Sequence, residues 1–287
     1  MDFGGPWPIR VAWLVQPIAL NPVLGDALDP HSTAVQVLVL TLAWAAWTTG
    51  LVAVLVPRTV GLTTVRILAP AGLALAMWAA VGADGVTWAA VAVVATAVTT
   101  TIALSPTTGD VFVNGSAYGA ERRFALRPPG VLLLGPVQLV WVVVVAGTVA
   151  GPLLLAAEQW VAGAVLTLVG LAVAALGCRS LHQLSRRWLV MVPAGVVIHD
   201  PAAIVSHLFR SPTIAAIGPA PADSGALDLT AGAPGLALEL QLREAATLEL
   251  RRRRSKAKVV HATAVMFTPS RPGEVLREAA DRSLVVR

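Results

Sequence analysis

The sequence predicts a multi-span α-helical membrane protein with a C-terminal, mostly-β domain in the cytosol. Residues 34–178 form a run of apolar segments, each near the ~20 residues that cross a bilayer, with almost no ionisable side chain in their interiors. From Arg179 onward the charge returns, because 15 of the 21 Lys and Arg residues and 9 of the 16 Asp and Glu residues lie there. The whole chain is 56% hydrophobic and 13% charged, whereas about 25% of residues are charged in a soluble domain.

Five segments are predicted to be transmembrane helices, separated by proline and glycine breaks. They cover, approximately, residues 34–56, 64–82, 86–105, 130–151 and 159–178. In the last segment, small residues recur about once per helical turn. They predict close packing against another helix of the same chain, with dimerisation as the alternative: Gly163, Thr167, Gly170 and Ala174.

Residues 1–33 precede the first predicted span. Residues 11–24 are apolar but contain Pro17 and Pro22, so we expect a segment that lies along the outer membrane interface, a depth that tryptophan favours. A re-entrant segment or a sixth crossing is the alternative. A sixth crossing would reverse only the side on which the N terminus lies.

The positions of the arginines predict the orientation. Arg58 lies between the first two spans and Arg66 close to the start of the second, a basic group at residues 122–127 lies between the third and fourth, and Arg179 follows the fifth. With five spans these positions share one side, which the positive-inside rule assigns to the cytoplasm. The N terminus is then outside and the C terminus in the cytoplasm. A composition dominated by Ala, Val, Leu and Gly, with 19 Arg against 2 Lys, favours a bacterial protein of the cytoplasmic (inner) membrane.

The sequence shows no catalytic or metal-binding pattern. The five histidines share no metal-ligand spacing, and the single cysteine, Cys178, excludes an internal disulfide. No glycine-rich phosphate-binding loop is present. We therefore predict a protein that is not an enzyme and that needs no metal or cofactor.

Polar side chains inside the predicted spans leave one alternative function open. Together with Gln36 and Gln138, a cluster of threonines in the third span could line a pathway in a small transporter or channel component with a regulatory tail: Thr96, Thr99, Thr100 and Thr101. Threonines in helices more often bond to a carbonyl of the preceding turn. Transporters usually also carry acids, histidines or arginines within their spans, and these spans carry none apart from Arg66, close to a helix end.

The segment from Pro106 to Pro129 is predicted to be a cytosolic basic juxtamembrane loop. It contains three arginines that lead into the fourth span: Arg122, Arg123 and Arg127. The simplest interpretation is an anchor on the positive side of the membrane. The alternative is a docking surface for the C-terminal domain or for anionic headgroups.

Short strands are predicted after residue 179. They cover residues 187–192, 195–199, 214–217, 226–229, 236–242, 246–251 and 259–267, and a helix follows at 272–282. Alternation is clearest at residues 236–243, where leucines occupy one face and mostly polar residues the other.

Two of these strands carry a family resemblance. Arg187-Trp188-Leu189-Val190, followed by Gly195-Val196-Val197-Ile198, is similar to the first two strands of bacterial pleckstrin-homology-like (PH-like) membrane proteins. The similarity covers residues 130–287 at most. It implies a transmembrane hairpin at residues 130–178, then a PH-like β-barrel closed by one C-terminal helix at residues 179–287, and a binding or scaffolding role.

A basic run occurs within the C-terminal domain. Its six cations are Arg251, Arg252, Arg253, Arg254, Lys256 and Lys258. Near an anionic leaflet each could contribute ~1 kcal/mol of binding free energy. The run predicts binding of anionic lipid headgroups or of a protein partner, and the alternative is a solvated hairpin tip that blocks edge-to-edge pairing. Nucleic acid is not expected, because the run has no aromatic stacking partners.

Overall fold

The computed structural model describes residues 5–201, 203–252 and 255–287, excluding the side chains of residues 252 and 255–257. The helices are α1 Trp7–Leu28, α2 Thr33–Leu55, α3 Thr59–Val81, α4 Val86–Leu104, α5 Pro106–Asn114, α6 Gly130–Leu133, α7 Pro136–Ala156, α8 Trp160–Leu184 and α9 Pro272–Asp281. The strands are β1 Arg122–Ala125, β2 Trp188–Val192, β3 Gly195–His199, β4 His207–Arg210, β5 Ile214–Pro219, β6 Leu227–Asp228, β7 Leu238–Arg252 and β8 Ser255–Phe267.

The chain divides into two compact units. A helical unit contains Met1–Phe112 and Gln138–His182, and a C-terminal unit contains Val113–Val137 and Gln183–Arg287. The segment predicted as a juxtamembrane loop is therefore divided. Its first part forms α5, and its later part supplies β1 to the C-terminal unit.

Within the described residues, six helices are long and apolar enough to cross a membrane, namely α1, α2, α3, α4, α7 and α8. The chain is thus a multi-pass membrane protein, and the predicted count of five spans is corrected to six. The additional helix is α1, which runs through Pro17 and Pro22 without a break. An N terminus opposite the C terminus no longer follows, because an even number of crossings returns the chain to its starting side.

Hydrogen bonds from α2 explain how α1 continues through Pro17. Because proline has no N–H, the carbonyl of Trp13, four residues earlier, lacks its helical donor. The indole Nε1 of Trp47 donates to this carbonyl at 3.0 Å, and Nε1 of Trp13 donates to the Trp47 carbonyl at 2.9 Å. Gly50 leaves room for the exchange, since a Cβ there would overlap the Trp13 ring.

The predicted small-residue face of the last span is confirmed as a helix-packing surface. A Cβ on Gly170 would overlap the backbone of Gly147 in α7, and a Cβ on Gly163 would lie 2.7 Å from the backbone nitrogen of Leu155. The partner helix contributes its own small residues, because a Cβ on Gly151 would overlap Thr167. Close backbone approach therefore holds α7 against α8.

The C-terminal unit is built from two four-stranded sheets, in the order β1-β2-β3-β4 and β5-β7-β8-β6. All described pairings between two of these strands are antiparallel except that of β6 with β8. The sheets share one core, to which α9 contributes Val275 and Ala279. The largest fully buried side chains of this core include Phe124, Phe209 and Phe267.

Most predicted strands occur, with local differences. The predicted strands at 236–242 and 246–251 are one strand, β7, which absorbs the intervening residues in a register shift between Gln241 and Ala246. The short strands β1 and β4 were not predicted. β1 lies outside the segment taken as the domain, and β4 has four residues.

The predicted closed barrel is wrong for the described residues. Only isolated bridges join the two sheets, Leu126 with Pro269 and Ile204 with Leu250. The pairing at the Leu126–Pro269 bridge cannot extend through Pro269, because proline has no N–H to donate. Between β4 and β5 the chain forms a 3-10 helix, Ser211–Thr213, instead of continuing as one strand around the corner.

Candidate functional site

The basic run lies at the free end of the β7–β8 ladder. Arg252 pairs with Ser255 there, and Arg251 and Lys258 are exposed. Arg253 and Arg254 lie outside the described residues, as do the side chains of Arg252 and Lys256. The described part of the run is thus a pair of strand ends that presents cations to solvent.

The structure separates the three arginines of the predicted loop. Arg122 is exposed on one face of β1, with its guanidinium carbon 5.7 Å from the centre of the Phe124 ring. Arg123 lies on the opposite face, because successive side chains of a strand alternate. Arg127 follows β1, and its guanidinium packs against Gly235. These arginines therefore do not form one patch.

Arg123 instead joins an aromatic stack on the outer face of the first sheet. Trp188 and His199, paired on β2 and β3, stack with ring centres 4.6 Å apart and planes inclined by 20°. The guanidinium carbon of Arg123 lies 5.8 Å from the Trp188 ring, within the range of a cation–π contact. Nδ1 of His199 bonds to Oγ of Ser206 at 2.7 Å.

Two further arginines act on this stack electrostatically. Burial lowers the pKa of His199 most, and the positive charges of Arg186, Arg123 and Arg251 lower it further, against the opposing effect of Asp200. The backbone N–H of Arg251 donates to the carbonyl of Ala203, which brings the basic end of β7 beside the loop before β4. We call this set the Trp188 cluster: Arg123, Arg186, Trp188, His199, Ser206 and Arg251.

The cluster contains two buried nitrogens without a hydrogen-bond partner, Nε of Arg123 and Nε2 of His199. Among the described residues, the side chain of Arg123 forms an ion pair through Nη2, 3.1 Å from Glu121. Most buried polar atoms in folded proteins are paired, so such atoms call for an explanation. Here both belong to cationic or potentially cationic side chains that flank one indole.

A buried ion pair fixes the base of the cluster. Nη2 and Nε of Arg187 bond to one carboxylate oxygen of Asp200 at 2.6 and 2.9 Å, and Nη1 bonds to the Arg127 carbonyl at 3.0 Å. Both side chains are almost fully buried. Sequence analysis missed this pair, although the hairpin register would have revealed it. Since Trp188 pairs with His199, the preceding Arg187 faces the following Asp200.

The α4 threonines bond to carbonyls of the preceding turn, which is the simpler of the two roles considered for them. Each donates to a carbonyl one turn earlier in its own helix, and Thr99 also accepts from the amide of Gln16 in α1. Two small cavities in the described residues have volumes of about 40 and 20 Å³, and neither is lined by these threonines, Gln36 or Gln138. These observations do not favour a transport pathway.

A polar cluster in the helical unit was not predicted. Arg66 in α3 has a buried Nε and interacts electrostatically with Asp110, a buried residue of α5. One turn before Arg66, Oγ1 of Thr63 bonds to Nδ1 of His182 in α8 at 2.9 Å. Charge is therefore present inside this unit, between α3 and α5, and a hydrogen bond connects α3 with α8.

Comparison of the chain with protein-family models, with curated proteins and with solved structures finds no match. Function must therefore be inferred from the residues and geometry of this chain alone.

Proposed function

We propose that this chain is a non-enzymatic, multi-pass protein of the bacterial inner membrane whose cytosolic C-terminal unit binds anionic lipid headgroups. The observation that carries the proposal is the exposure of Arg251 and Lys258 at the end of a ladder whose strands are 15 and 13 residues long. Cations tethered to a bilayer do not have to find it by diffusion.

The positive-inside rule supports a cytosolic C-terminal unit with six crossings as well as with five. Arg10, near the start of α1, donates to the carbonyls of Val54 and Leu55, at the end of α2. Arg10 and Arg58 thus lie at the same end of the helices. With both termini in the cytoplasm, Arg10 joins the other arginines on the positive side, whereas an interfacial first segment would have left it outside.

The resemblance to PH-like domains remains part of the proposal. Two four-stranded sheets that share one core with a C-terminal helix support it. The unclosed seams and the origin of β1 between two membrane helices depart from the expected pattern. The binding role is therefore argued from charge and position, and a protein partner is kept as the alternative.

The proposal can be tested by energy transfer in reconstituted full-length protein. A donor dye is placed at Val259→Cys, an exposed position beside the basic run, in a Cys178→Ser background, and acceptor-labelled lipid is included in vesicles with or without phosphatidylglycerol. Transfer should increase with phosphatidylglycerol and decrease with salt, as the Debye length falls from ~10 Å at 0.1 M to ~3 Å at 1 M.

Charge reversal provides the matched comparison. The variant Arg251→Glu, Arg252→Glu, Lys258→Glu should abolish the response to phosphatidylglycerol. A control with the same net change at three other exposed arginines of this unit should retain it: Arg210→Glu, Arg243→Glu and Arg277→Glu. Equal transfer in neutral and anionic vesicles would reject lipid binding and leave the protein-partner version.

A further inference from the structure

We infer that the Trp188 cluster is a discrete binding site for one phosphate group, and that Arg123 and His199 recognise it. This inference deepens the proposed function, on which it rests for a lipid headgroup as the source of the phosphate. Free phosphate has the same chemistry, and the test below separates the two sources.

The first argument is the convergence of positive charge. Arg123, Arg186 and Arg251 come from three distant parts of the sequence and all act on one imidazole. In the described residues, two ion pairs occur in or beside the cluster. Arg123 pairs with Glu121, and Asp200 pairs with Arg187. Like charges gathered in this way repel one another unless an anion joins them.

The second argument is the pair of unpartnered nitrogens. Nδ1 of His199 is engaged by Ser206, which fixes the ring, and Nε2 is buried without a partner among the described residues. Nε of Arg123 is likewise buried without a partner while Nη2 holds Glu121. Phosphate oxygens accept hydrogen bonds from several directions, and arginine is well suited to donate them.

The third argument is the stack itself. The indole of Trp188 contacts a guanidinium and an imidazole, so the donors are held by a rigid aromatic surface on adjacent strands. Such preorganisation reduces the side-chain entropy lost on binding. A mobile surface cluster of lysines would lack this advantage.

Fluorine NMR of the full-length protein, labelled with 5-fluorotryptophan and held in a phosphate-free maltoside detergent, tests the site. The Trp188 resonance is assigned with Trp188→Phe, and its pH titration reports the charge of the stacked His199. Inorganic phosphate should shift this titration upward by about one pH unit relative to chloride at equal ionic strength, because a bound anion favours the imidazolium.

The variant Arg123→Gln should remove the phosphate effect, Arg186→Gln should reduce it by lowering the positive charge that acts on His199, and His199→Gln should remove the titration. Arg210→Gln, an exposed arginine of the same sheet, should preserve both. Identical titrations in phosphate and chloride would overturn the site.

A second arm adds phosphatidic acid to the micelles in place of phosphate. The same upward shift there identifies lipid as a source, and a shift with inorganic phosphate alone identifies a free-phosphate site. None of these variants changes Arg251, Arg252 or Lys258. A missing phosphate shift would therefore overturn the phosphate site without affecting the energy-transfer evidence for lipid binding. Conversely, if energy transfer does not respond to phosphatidylglycerol, the phosphate titration can still be interpreted.

Discussion

The two units of this protein differ in the size of the side chains that they bury. In the helical unit many of the buried residues are small, including Ala53, Ala76 and Ala92, while large ones face outward, such as Val81 at 89% and Leu168 at 74% exposure. In the C-terminal unit the buried residues are mainly Leu, Ile, Val and Phe. Each pattern suits its solvent, since lipid gives no hydrophobic reward for burying a large side chain between helices, whereas water does.

The units consequently depend on different interactions. The helices are held by close backbone approach and by side chains that satisfy backbone groups, as in the Trp13–Trp47 exchange. The sheets are held by apolar burial and by one buried ion pair. Changes that remove buried side chains should therefore destabilise the C-terminal unit more, and substitutions that add atoms should destabilise the helical unit more.

The largest effect is expected from removing β1. A fragment of residues 179–287 lacks Phe124 and Leu126 and exposes the edge of β2, whereas a fragment in which residues 113–129 are joined to it by a flexible linker restores both. Loss of Phe124 alone is expected to remove about 3–5 kcal/mol of stability. The shorter fragment should aggregate or lack dispersed amide signals in NMR, and the linked one should fold. A well-folded short fragment would refute the role assigned to β1.

The next largest effect is expected for Asp200→Asn. The substitution leaves the guanidinium of Arg187 buried without its counter-charge, which typically reduces stability by about 3–5 kcal/mol. Thermal unfolding followed at fluorinated Trp188, the C-terminal unit's single tryptophan, should show a lower Tm. Arg277→Gln, at an exposed ion pair, should change it little. A Tm equal to that of the native protein would show that the pair is dispensable.

A smaller effect, confined to the helical unit, is expected for Gly147→Ala. The added Cβ would lie 2.6 Å from the carbonyl oxygen of Gly170, so α7 and α8 must move apart, at a cost of about 1–3 kcal/mol. Gly72→Ala is the matched control in α3, because its nearest neighbour would be 3.9 Å away. Thermal unfolding in nanodiscs, followed at the helical tryptophans, should separate the two variants. Equal Tm values would contradict close packing of these helices.

Prediction from sequence succeeded where a pattern is local. Apolar length identified α2–α4, α7 and α8, and alternation identified most strands of the second sheet. It failed at α1, because Pro17 reads as a helix break unless the donor from Trp47, about 30 residues away, is known. It also failed at β1, whose partner β2 lies beyond two further membrane helices.

The site shows the same division. Once β1 is known to be a strand, alternation places Arg122 and Arg123 on opposite faces, but the identity of their neighbours depends on tertiary contacts. The convergence of Arg123, Arg186 and Arg251 on His199 depends on strand order within the C-terminal unit. A charge run is visible in a sequence, whereas a cluster assembled from separate segments is not.

The smallest effect is expected in the pH dependence of stability, to which Glu239 contributes in the C-terminal unit. Burial alone would raise the pKa of Glu239, but hydrogen bonds from Ser224 and Gln241 and the charge of Arg287 outweigh it and hold this pKa below its ordinary value. The unfolded chain therefore binds a proton more readily. The stability that Glu239 contributes is present above its unfolded pKa of about 4.3 and is lost as the pH falls through the lower, folded value.

Arg287→Gln should remove part of this contribution. The pair is 3.0 Å long and partly exposed at the arginine, so we expect a loss of up to about 1 kcal/mol at neutral pH. The deficit should shrink on acidification, once Glu239 is protonated in both proteins, when unfolding is followed at Trp188. The deficit of Gly147→Ala should not change with pH, because it is steric. A pH-independent deficit for Arg287→Gln would mean that Arg287 acts through its packing on Gly218, and the electrostatic contrast between the units would then fail at this position.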